Sequence, residues 1–276
     1  MTTAVDHERN AALGAWYAEH KRDLPWRDVG DPYLVLVSEV MLQQTQASRV
    51  VPFYERFVAQ FPTVESLAAA SLTDLLALWS GLGYNNRPQR LRRAARIIVA
   101  EGWPKKIENL CRLPGVGSYT AAAIASFAFG QPVVTMDTNM RRVLSRWNGE
   151  PLEGAALRVA AEVALGEPSA DWNQAVMDLG ASLCLARGAL CRECPVADWC
   201  AGPDGYVPPM PQARFEGSAR QLRGAIVRAV VAAPSTVEAL VGRTGFPAEA
   251  VQMAIEDLVA EDLLIENDPG SYSVAE

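Results

Sequence analysis

The chain has 276 residues, of which 50% are hydrophobic and 21% are charged. This composition is typical of a folded globular protein of about two domains, and it excludes a chain that is mainly disordered. The sequence has no run of about 18 apolar residues, and its first ten residues lack the basic-then-apolar layout of a secretory signal. We therefore expect a cytoplasmic protein that does not bind membranes.

The net charge of −7, taken alone, argues against nucleic-acid binding, because phosphate contacts require Lys and Arg. The charge is uneven, however, since residues 213–276 carry five Arg and ten acidic residues, a net of −5. Residues 1–212 are therefore near neutral, and the five Arg between positions 87 and 96 are candidates for phosphate contact. The composition does not exclude a DNA-binding protein.

Helical periodicity dominates the first 200 residues and predicts an all-α domain of many short helices. Pro or Gly signals separate the predicted helices, which cover residues 6–20, 34–51, 64–79, 87–100 and 107–112. Residues 201–213 are rich in Pro and Gly and predict a linker. We expect the catalytic domain to span residues 1–200.

Residues 214–276 predict a small winged-helix-like module. It consists of three helices followed by two β-prone segments, at 217–232, 235–242, 247–261, 264–266 and 271–274. The third helix carries acidic residues and no basic one, which is unsuited to reading DNA. We expect a packing or protein-contact module that adds little DNA affinity, so that a chain ending after Pro211 stays active if the module's apolar face is not packed on the catalytic domain.

Four of the five cysteines form a C-x6-C-x2-C-x5-C cluster, at Cys184, Cys191, Cys194 and Cys200. The fifth, Cys111, is predicted to be a small buried hydrophobic residue. Cytosolic proteins rarely keep structural disulfides, so the cluster indicates a metal site. The spacing alone leaves open an iron–sulfur cluster, zinc, or a structural or redox role.

A glycine-containing turn, Leu113-Pro114-Gly115-Val116-Gly117, joins two predicted helices. Its glycines permit a tight turn with backbone N–H groups exposed at a helix start, where a phosphate can bind; a plain connection between helices is the alternative. Further along, Asp137 is placed to cap the amino end of a helix, and the helix dipole would favour its ionised form.

The hairpin, Asp137 and the cysteine cluster together resemble the iron–sulfur branch of the helix–hairpin–helix DNA glycosylases. Within that branch, four segments resemble the signature of the MutY-type adenine DNA glycosylases, at residues 24–27, 31–33, 37–46 and 79–84. The resemblance extends over residues 10–205. It implies a six-helix barrel and a cluster lobe, with the target base flipped out of the duplex into the cleft between them.

The same resemblance implies a cofactor and a set of phosphate contacts. The four cysteines of the loop 184–200 would hold a [4Fe–4S] cluster with a structural role. The residues that would contact DNA phosphate are Gly115, Gly117, Ser118, Arg87, Arg187 and Arg192.

Two carboxylates would carry the chemistry. Glu39 lies in an apolar stretch, where desolvation favours its protonated form and suits it to protonating the departing adenine. Asp137 would stabilise the sugar oxocarbenium ion electrostatically or through a transient covalent bond. Asn139 would hold Asp137 or the attacking water. Tyr119 stands where bifunctional relatives place a Schiff-base lysine, which implies a monofunctional enzyme.

Further residues match family positions that contact bases. Gln44 and Tyr84 resemble residues that enter the base stack, and Gln43 precedes them in the same motif. The positions that line the adenine pocket are Arg22, Leu24, Trp26, Arg27 and Gln174. Residues 85–91 depart from the usual family pattern.

The tail also departs from the family, because typical members carry a Nudix-like domain there. This short, winged-helix-like tail resembles the tails of actinobacterial members. We expect a monomeric bacterial base-excision-repair enzyme that binds double-stranded DNA at the nucleoid and removes adenine mispaired with 8-oxoguanine or guanine. Repair proteins would contact its tail module. The alternatives are a thymine or uracil glycosylase of the same superfamily, and a non-catalytic damage-binding protein, which would require the loss of Glu39 or Asp137.

Overall fold

The computed structural model describes residues 4–210 and 214–276. The helices are α1 (Ala4–His20), α2 (Pro32–Leu42), α3 (Ala47–Gln60), α4 (Val64–Ala69), α5 (Leu72–Trp79), α6 (Asn86–Glu101), α7 (Ile107–Leu110), α8 (Ser118–Phe127), α9 (Thr138–Asn148), α10 (Gly154–Ala164), α11 (Ser169–Ser182), α12 (Ala219–Ala232), α13 (Val237–Thr244) and α14 (Ala248–Ala260). The strands are β1 (Ser235–Thr236), β2 (Leu264–Asp268) and β3 (Ser271–Val274). Among the described residues, no helix has the length and apolarity needed to cross a membrane.

The chain divides into two compact units. The first contains the described residues 4–36, 105–111 and 116–210, and the second contains residues 37–104, 112–115 and 214–276. The core of the first unit is built by α1, α9, α10 and α11, with Leu13, Val143 and Val176 fully or almost fully buried in it. Three of the clustered cysteines pack against this core.

Two predicted helices are each divided in the structure. The expected helix 34–51 ends at Leu42, and α3 begins at Ala47, because Gln44 between them adopts a left-handed conformation with φ 55°. The expected helix 64–79 breaks before Ser71, whose side chain accepts a hydrogen bond from the backbone N–H of Asp74 and so caps a new helix. The prediction of a single continuous helix was therefore wrong in both places.

The winged-helix-like module predicted in the tail is confirmed. Its three helices are followed by an antiparallel sheet in the order β1-β3-β2, in which Ser235 pairs with Tyr272 and Leu264 pairs with Val274. The sequence did not indicate β1, which has only two residues.

The tail module shares a core with the rest of the second unit. Leu222 and Ile226 of α12 pack in one buried cluster with Leu72 and Leu76 of α5. The side chain of Glu276 also accepts hydrogen bonds from the start of α5, including one from the backbone N–H of Leu72 at 3.1 Å. The apolar face of the module is therefore buried against a helix that precedes the hairpin.

Part of the expected linker is packed in the first unit. A Cβ atom at Gly205 would lie 2.6 Å from the carbonyl oxygen of Ser145, so only glycine fits at this approach to α9. The ring of Tyr206 lies under the guanidinium groups of Arg142 and Arg146, 5.9 and 5.6 Å from its centroid. The end of the expected linker, residues 211–213, lies outside the described residues.

Candidate functional site

Asp137 is held by hydrogen bonds at the start of α9, as its position in the sequence predicted. Its Oδ1 accepts from the backbone N–H of Met140 at 2.6 Å, and its Oδ2 accepts from Nδ2 of Asn139 at 2.7 Å. Arg142 in turn donates to Oδ1 of Asn139 at 2.7 Å and to the carbonyl of Gly180 at 2.6 Å. A Cβ at Gly180 would come within 2.6 Å of the Asn139 Cβ, so this glycine makes room for the asparagine.

The electrostatics of Asp137 differ from the expectation. Burial raises its pKa above the ordinary value, and the donors from Met140 and Asn139 only partly oppose this effect. The helix start therefore positions the carboxylate without making it a stronger acid.

Glu39 lies on α2 and is buried. Glu39 is only 5% exposed, and its chain neighbours Val37, Val40 and Met41 are almost completely buried. A carboxyl group in such surroundings is poorly solvated, which favours its protonated form.

Gln44 and Tyr84 are brought together by two unusual backbone conformations. Both have positive φ, 55° and 51°, which is uncommon for residues other than glycine, and the hydroxyl of Tyr84 donates a hydrogen bond to Oε1 of Gln44. Nε2 of the adjacent Gln43 donates to the carbonyl of Gly115 in the hairpin at 3.2 Å. Non-glycine residues in this region of conformational space cluster at functional sites.

The hairpin has the conformation that its glycines predicted. Gly115 has φ 81°, and a Cβ there would lie only 3.1 Å from the Cβ of Arg90. Gly117 caps α8, which begins with the exposed Ser118 and the partly buried Tyr119. Because the first N–H groups of a helix have no partner within it, this end can bind an anion.

The expected contact of Arg87 with DNA phosphate is wrong for this structure. Arg87 is 5% exposed, and burial lowers its pKa to about 10. Its guanidinium donates to five backbone carbonyls at 2.8–3.2 Å, those of Val40, Met41, Gln43, Leu82 and Gly83. The side chain therefore ties the end of α2 to the loop after α5 and does not face DNA.

Two residues expected in the adenine pocket are anchored by an acid that sequence reasoning missed. Nε of Arg22 and Nη2 of Arg27 donate to Oδ1 of Asp178, each at 2.6 Å. Burial of Asp178 opposes its ionisation, but the bonds from Arg27 and Arg22 outweigh this effect and lower its pKa. Gln174, one helical turn earlier, accepts a hydrogen bond from the hydroxyl of Tyr17 at 2.7 Å.

Leu24 and Trp26 belong to the same segment as these arginines. Trp26 is buried and Leu24 is partly buried. Arg22, Leu24, Trp26, Arg27 and Gln174 all belong to the first unit.

The cysteine loop contains thiols that influence one another. Burial raises the pKa of the Cys194 thiol to about 11, and the charges of Cys184, Cys191 and Cys200 contribute in the same direction. Nη1 of Arg146 lies 3.2 Å from the sulfur of Cys184. In the described part of the chain, no group of three or more His, Cys, Asp or Glu side chains is arranged to hold a metal ion.

The chemistry of this donor set nevertheless fits a cofactor bound through thiolates. Burial raises the pKa of the Cys200 thiol as well, and the backbone N–H groups of Val196 and Gly202 partly oppose this effect through hydrogen bonds to Cys194 and Cys200. Such N–H donors tune and stabilise sulfur ligands in iron–sulfur sites. The loop also presents Arg187 and Arg192, both exposed.

The fifth cysteine, Cys111, was expected to be buried, but it is exposed.

Comparison with known proteins identifies the family. Residues 37–162 match the model of the HhH-GPD superfamily base excision DNA repair proteins. An adenine DNA glycosylase of Mycobacterium tuberculosis is 37% identical over 99% of this chain and 95% of its own length. The chain belongs to the adenine DNA glycosylase family. The human member is 42% identical over 68% of this chain, which spans 38% of the human protein.

Solved structures support the glycosylase fold of this family member. A thermostable thymine-DNA glycosylase has a TM-score of 0.68 and 28% identity, over 73% of this chain and 99% of its own. An endonuclease III trapped as a covalent intermediate with DNA has a TM-score of 0.60 and 23% identity, over 72% of this chain and 94% of its own. The predicted helix–hairpin–helix glycosylase fold is confirmed.

Some contacts at the site of this adenine DNA glycosylase family member could be predicted from the sequence, and others could not. Arg142 follows Asn139 by three residues on a helix, a spacing at which side chains meet. Gly180, an isolated glycine within a helical pattern, indicates a close approach. Asp178 gave no such signal, because its partner Arg27 is 151 positions away in the sequence.

Proposed function

We propose that this protein removes adenine mispaired with 8-oxoguanine or guanine from duplex DNA by hydrolysing its N-glycosyl bond. The observation that carries the proposal is the match to an adenine DNA glycosylase over 99% of the chain at 37% identity. The thymine-specific alternative has weaker support, since the thymine-DNA glycosylase is 28% identical. The presence of both Glu39 and Asp137 argues against a non-catalytic protein.

In this proposal Glu39 is the general acid. Its carboxyl proton moves to a ring nitrogen of adenine, the C1′–N9 bond breaks, and the bonding electron pair leaves with the base. The burial of Glu39 supports this role, because desolvation favours a carboxylic acid that keeps its proton until the base accepts it. The sugar is left as an oxocarbenium ion.

Asp137 stabilises that cation. Its oxygens are fixed by Met140 and Asn139, so the negative charge is in place before positive charge develops on the sugar. Water then adds to C1′, and its proton goes to the carboxylate of Glu39, which restores the acid. Arg142 acts as a positioning residue, because it contacts Asn139 and not Asp137.

Recognition is assigned to the remaining family positions. Gln44 and Tyr84 enter the base stack as a hydrogen-bonded pair, with Gln43 tied to the hairpin, and the adenine pocket is lined by Arg22, Leu24, Trp26, Arg27 and Gln174. The phosphate contacts are Gly115, Gly117, Ser118, Arg187 and Arg192. Asp178 supports the pocket by fixing the guanidinium groups of Arg22 and Arg27.

The four cysteines of the loop 184–200 would hold a [4Fe–4S] cluster. When bound, the cluster would supply structural cross-linking of the loop. The N–H donors at Val196 and Gly202 support this assignment over an inert thiol cluster. We expect purified protein to contain four iron atoms and to be brown, and we expect the Cys194→Ser variant to lose this colour. A colourless, active protein that contains zinc would contradict the assignment.

Single-turnover base-release assays on duplexes with adenine opposite 8-oxoguanine, adenine opposite guanine, and thymine opposite guanine test the activity. Glu39→Gln and Asp137→Asn are expected to abolish adenine release while DNA binding is retained. The matched controls are Glu55→Gln and Asp74→Asn, which remove an exposed helical carboxylate elsewhere. Release of thymine in preference to adenine, or wild-type turnover by either catalytic variant, would refute the proposal.

The strand is expected to remain intact in these assays. Tyr119 cannot form an imine with the sugar, so the abasic product should break only after alkali is added. Borohydride trapping of a covalent adduct would show that another residue acts as an amine nucleophile.

A further inference from the structure

A cavity of about 500 Å³ in the second unit lies between helix α12 and the loops that carry Gln44 and Tyr84. Three arginines line it, Arg49, Arg220 and Arg228, and its described lining contains no Asp or Glu. This is unexpected in a chain with a net charge of −7 and in a tail with twice as many acids as arginines. The cavity is a locally positive site in an acidic protein.

The arrangement of α12 separates its arginines. Arg220, Gly224 and Arg228 are spaced four residues apart, which places them on one face of the helix, and all three line the cavity. Arg223 is not part of the lining, and it pairs with Glu261 at 2.7 Å and Asp257 at 3.7 Å. Arg223 therefore neutralises two acids at the end of α14 and does not contribute to the cavity.

The lining suits an oxyanion. Guanidinium groups bind phosphate oxygens through paired N–H donors, and the amides of Gln46, Asn85 and Gln221 add further donors. Nη2 of Arg49 donates to the carbonyl of Gly81, which fixes this side chain at the cavity. The cavity also includes Gln44 and Tyr84, and the proposed function places both in the base stack.

We propose that this cavity binds backbone phosphates of the DNA duplex beside the mispair, through Arg220 and Arg228 of the tail module together with Arg49. The inference rests on the proposed function for its location on DNA. It assigns the acidic tail a direct role in DNA binding, because the local distribution of charge and not the net charge sets the field at a binding surface. This contrasts with the expectation that the tail adds little affinity.

Substitution of Gly224 tests the role of the cavity with minimal disturbance of the fold. A Cβ at Gly224 or at Gly242 would meet no heavy atom within 4 Å, so both helical positions accept a side chain. Gly224→Glu introduces a carboxylate into the cavity and should weaken binding to duplex DNA several-fold. Gly224→Gln, of nearly equal size, and Gly242→Glu, with the same charge elsewhere in the module, should bind like the unmodified protein.

A second pair of variants counts phosphate contacts. Arg228→Gln should reduce the slope of log affinity against log salt concentration by about 1, and the double variant Arg220→Gln/Arg228→Gln by about 2. Arg243→Gln, which removes an exposed arginine of the same module outside the cavity lining, should leave the slope unchanged. Single-turnover release of adenine at saturating protein should stay the same in the control variants Arg243→Gln and Gly242→Glu.

The measurements are made on full-length protein with a fully paired duplex and with a duplex that contains adenine opposite 8-oxoguanine. Phosphate contacts predict equal weakening on both, whereas weakening confined to the mispaired duplex would overturn the proposal in favour of base reading. Unchanged affinity and slope for Gly224→Glu and the double variant would also overturn it and leave the cavity to an acidic protein partner. Because the paired duplex needs no adenine chemistry, absence of base release by the unmodified protein would refute only the proposed function.

Discussion

Helices α6 and α12 both carry several arginines, but they use them differently. In α6, Arg87 and Arg92 are buried and donate to backbone carbonyls of their own unit. In α12, Arg220 and Arg228 line an open cavity. The helix whose local charge suggested DNA contact therefore uses these arginines for the fold, whereas the helix in the acidic tail presents Arg220 and Arg228 at a cavity.

The difference lies in which acceptors are nearby. The carbonyls of Val40 and Met41 belong to the last turn of α2, where the helix leaves its C=O groups without partners and carries a partial negative charge. Nη1 and Nη2 of Arg87 donate to these carbonyls and to those of the following loop. A count of arginines along a sequence cannot distinguish this role from phosphate binding.

The largest effect is expected from removing the module that contains α12. A chain ending at residue 210 exposes Leu72 and Leu76 of α5, and loses about 3–6 kcal/mol from these two side chains alone. We expect the second unit to aggregate or unfold, so the idea that the tail is dispensable fails on packing. Thermal denaturation of the truncated chain measures this loss.

The substitution Ile226→Ala separates packing from deletion. It should destabilise the protein by about 2–5 kcal/mol, whereas Val259→Ala, at an exposed position of the same module, should change stability by less than about 0.5 kcal/mol. A truncated chain with the thermal stability of the full chain would show that α5 does not need the module.

Sequence reasoning recovered the elements whose signals are local. The end of α12 at Ala232 and the capping role of Asp137 follow from periodicity and cap chemistry and are confirmed, whereas α12 begins at Ala219 and not at residue 217. The break at Gln44 carries no Gly or Pro, and the pairing of Asp178 with Arg22 and Arg27 joins distant parts of the chain. Such features depend on tertiary contacts that a local pattern does not encode.

The next largest effect is expected at Arg87. Arg87→Met keeps the apolar length of the side chain but leaves five carbonyls without their donor, at a cost of about 3 kcal/mol or more. Arg87→Lys should not restore stability, because a single ammonium group cannot reproduce the planar fork of donors. Urea denaturation compares these variants with the unmodified protein.

The control lies on the same helix. Arg93 forms an ion pair with Asp262 at 2.9 Å in which both side chains are well exposed. Arg93→Met should therefore cost less than about 1 kcal/mol. Equal destabilisation by Arg87→Met and Arg93→Met would show that burial does not separate the two arginines.

A smaller and pH-dependent effect is expected at Asp178, where the acceptor of the arginines is a carboxylate and not a carbonyl. Asp178→Asn removes the charge that two guanidinium groups face but keeps a side-chain acceptor, so we expect a loss of about 2 kcal/mol at neutral pH. The pKa of Asp178 is lowered in the folded protein, so its stabilising contribution is present above the unfolded pKa of about 3.9 and is lost as pH falls through the folded pKa. The difference in unfolding free energy between the two proteins should therefore be constant near neutral pH and shrink below about pH 4, whereas the difference for Arg87→Met should not follow this titration. Urea denaturation as a function of pH measures both differences in unfolding free energy. If the difference for Asp178→Asn persists undiminished at acid pH, the hydrogen bonds of Asp178, and not its charge, hold the two arginines.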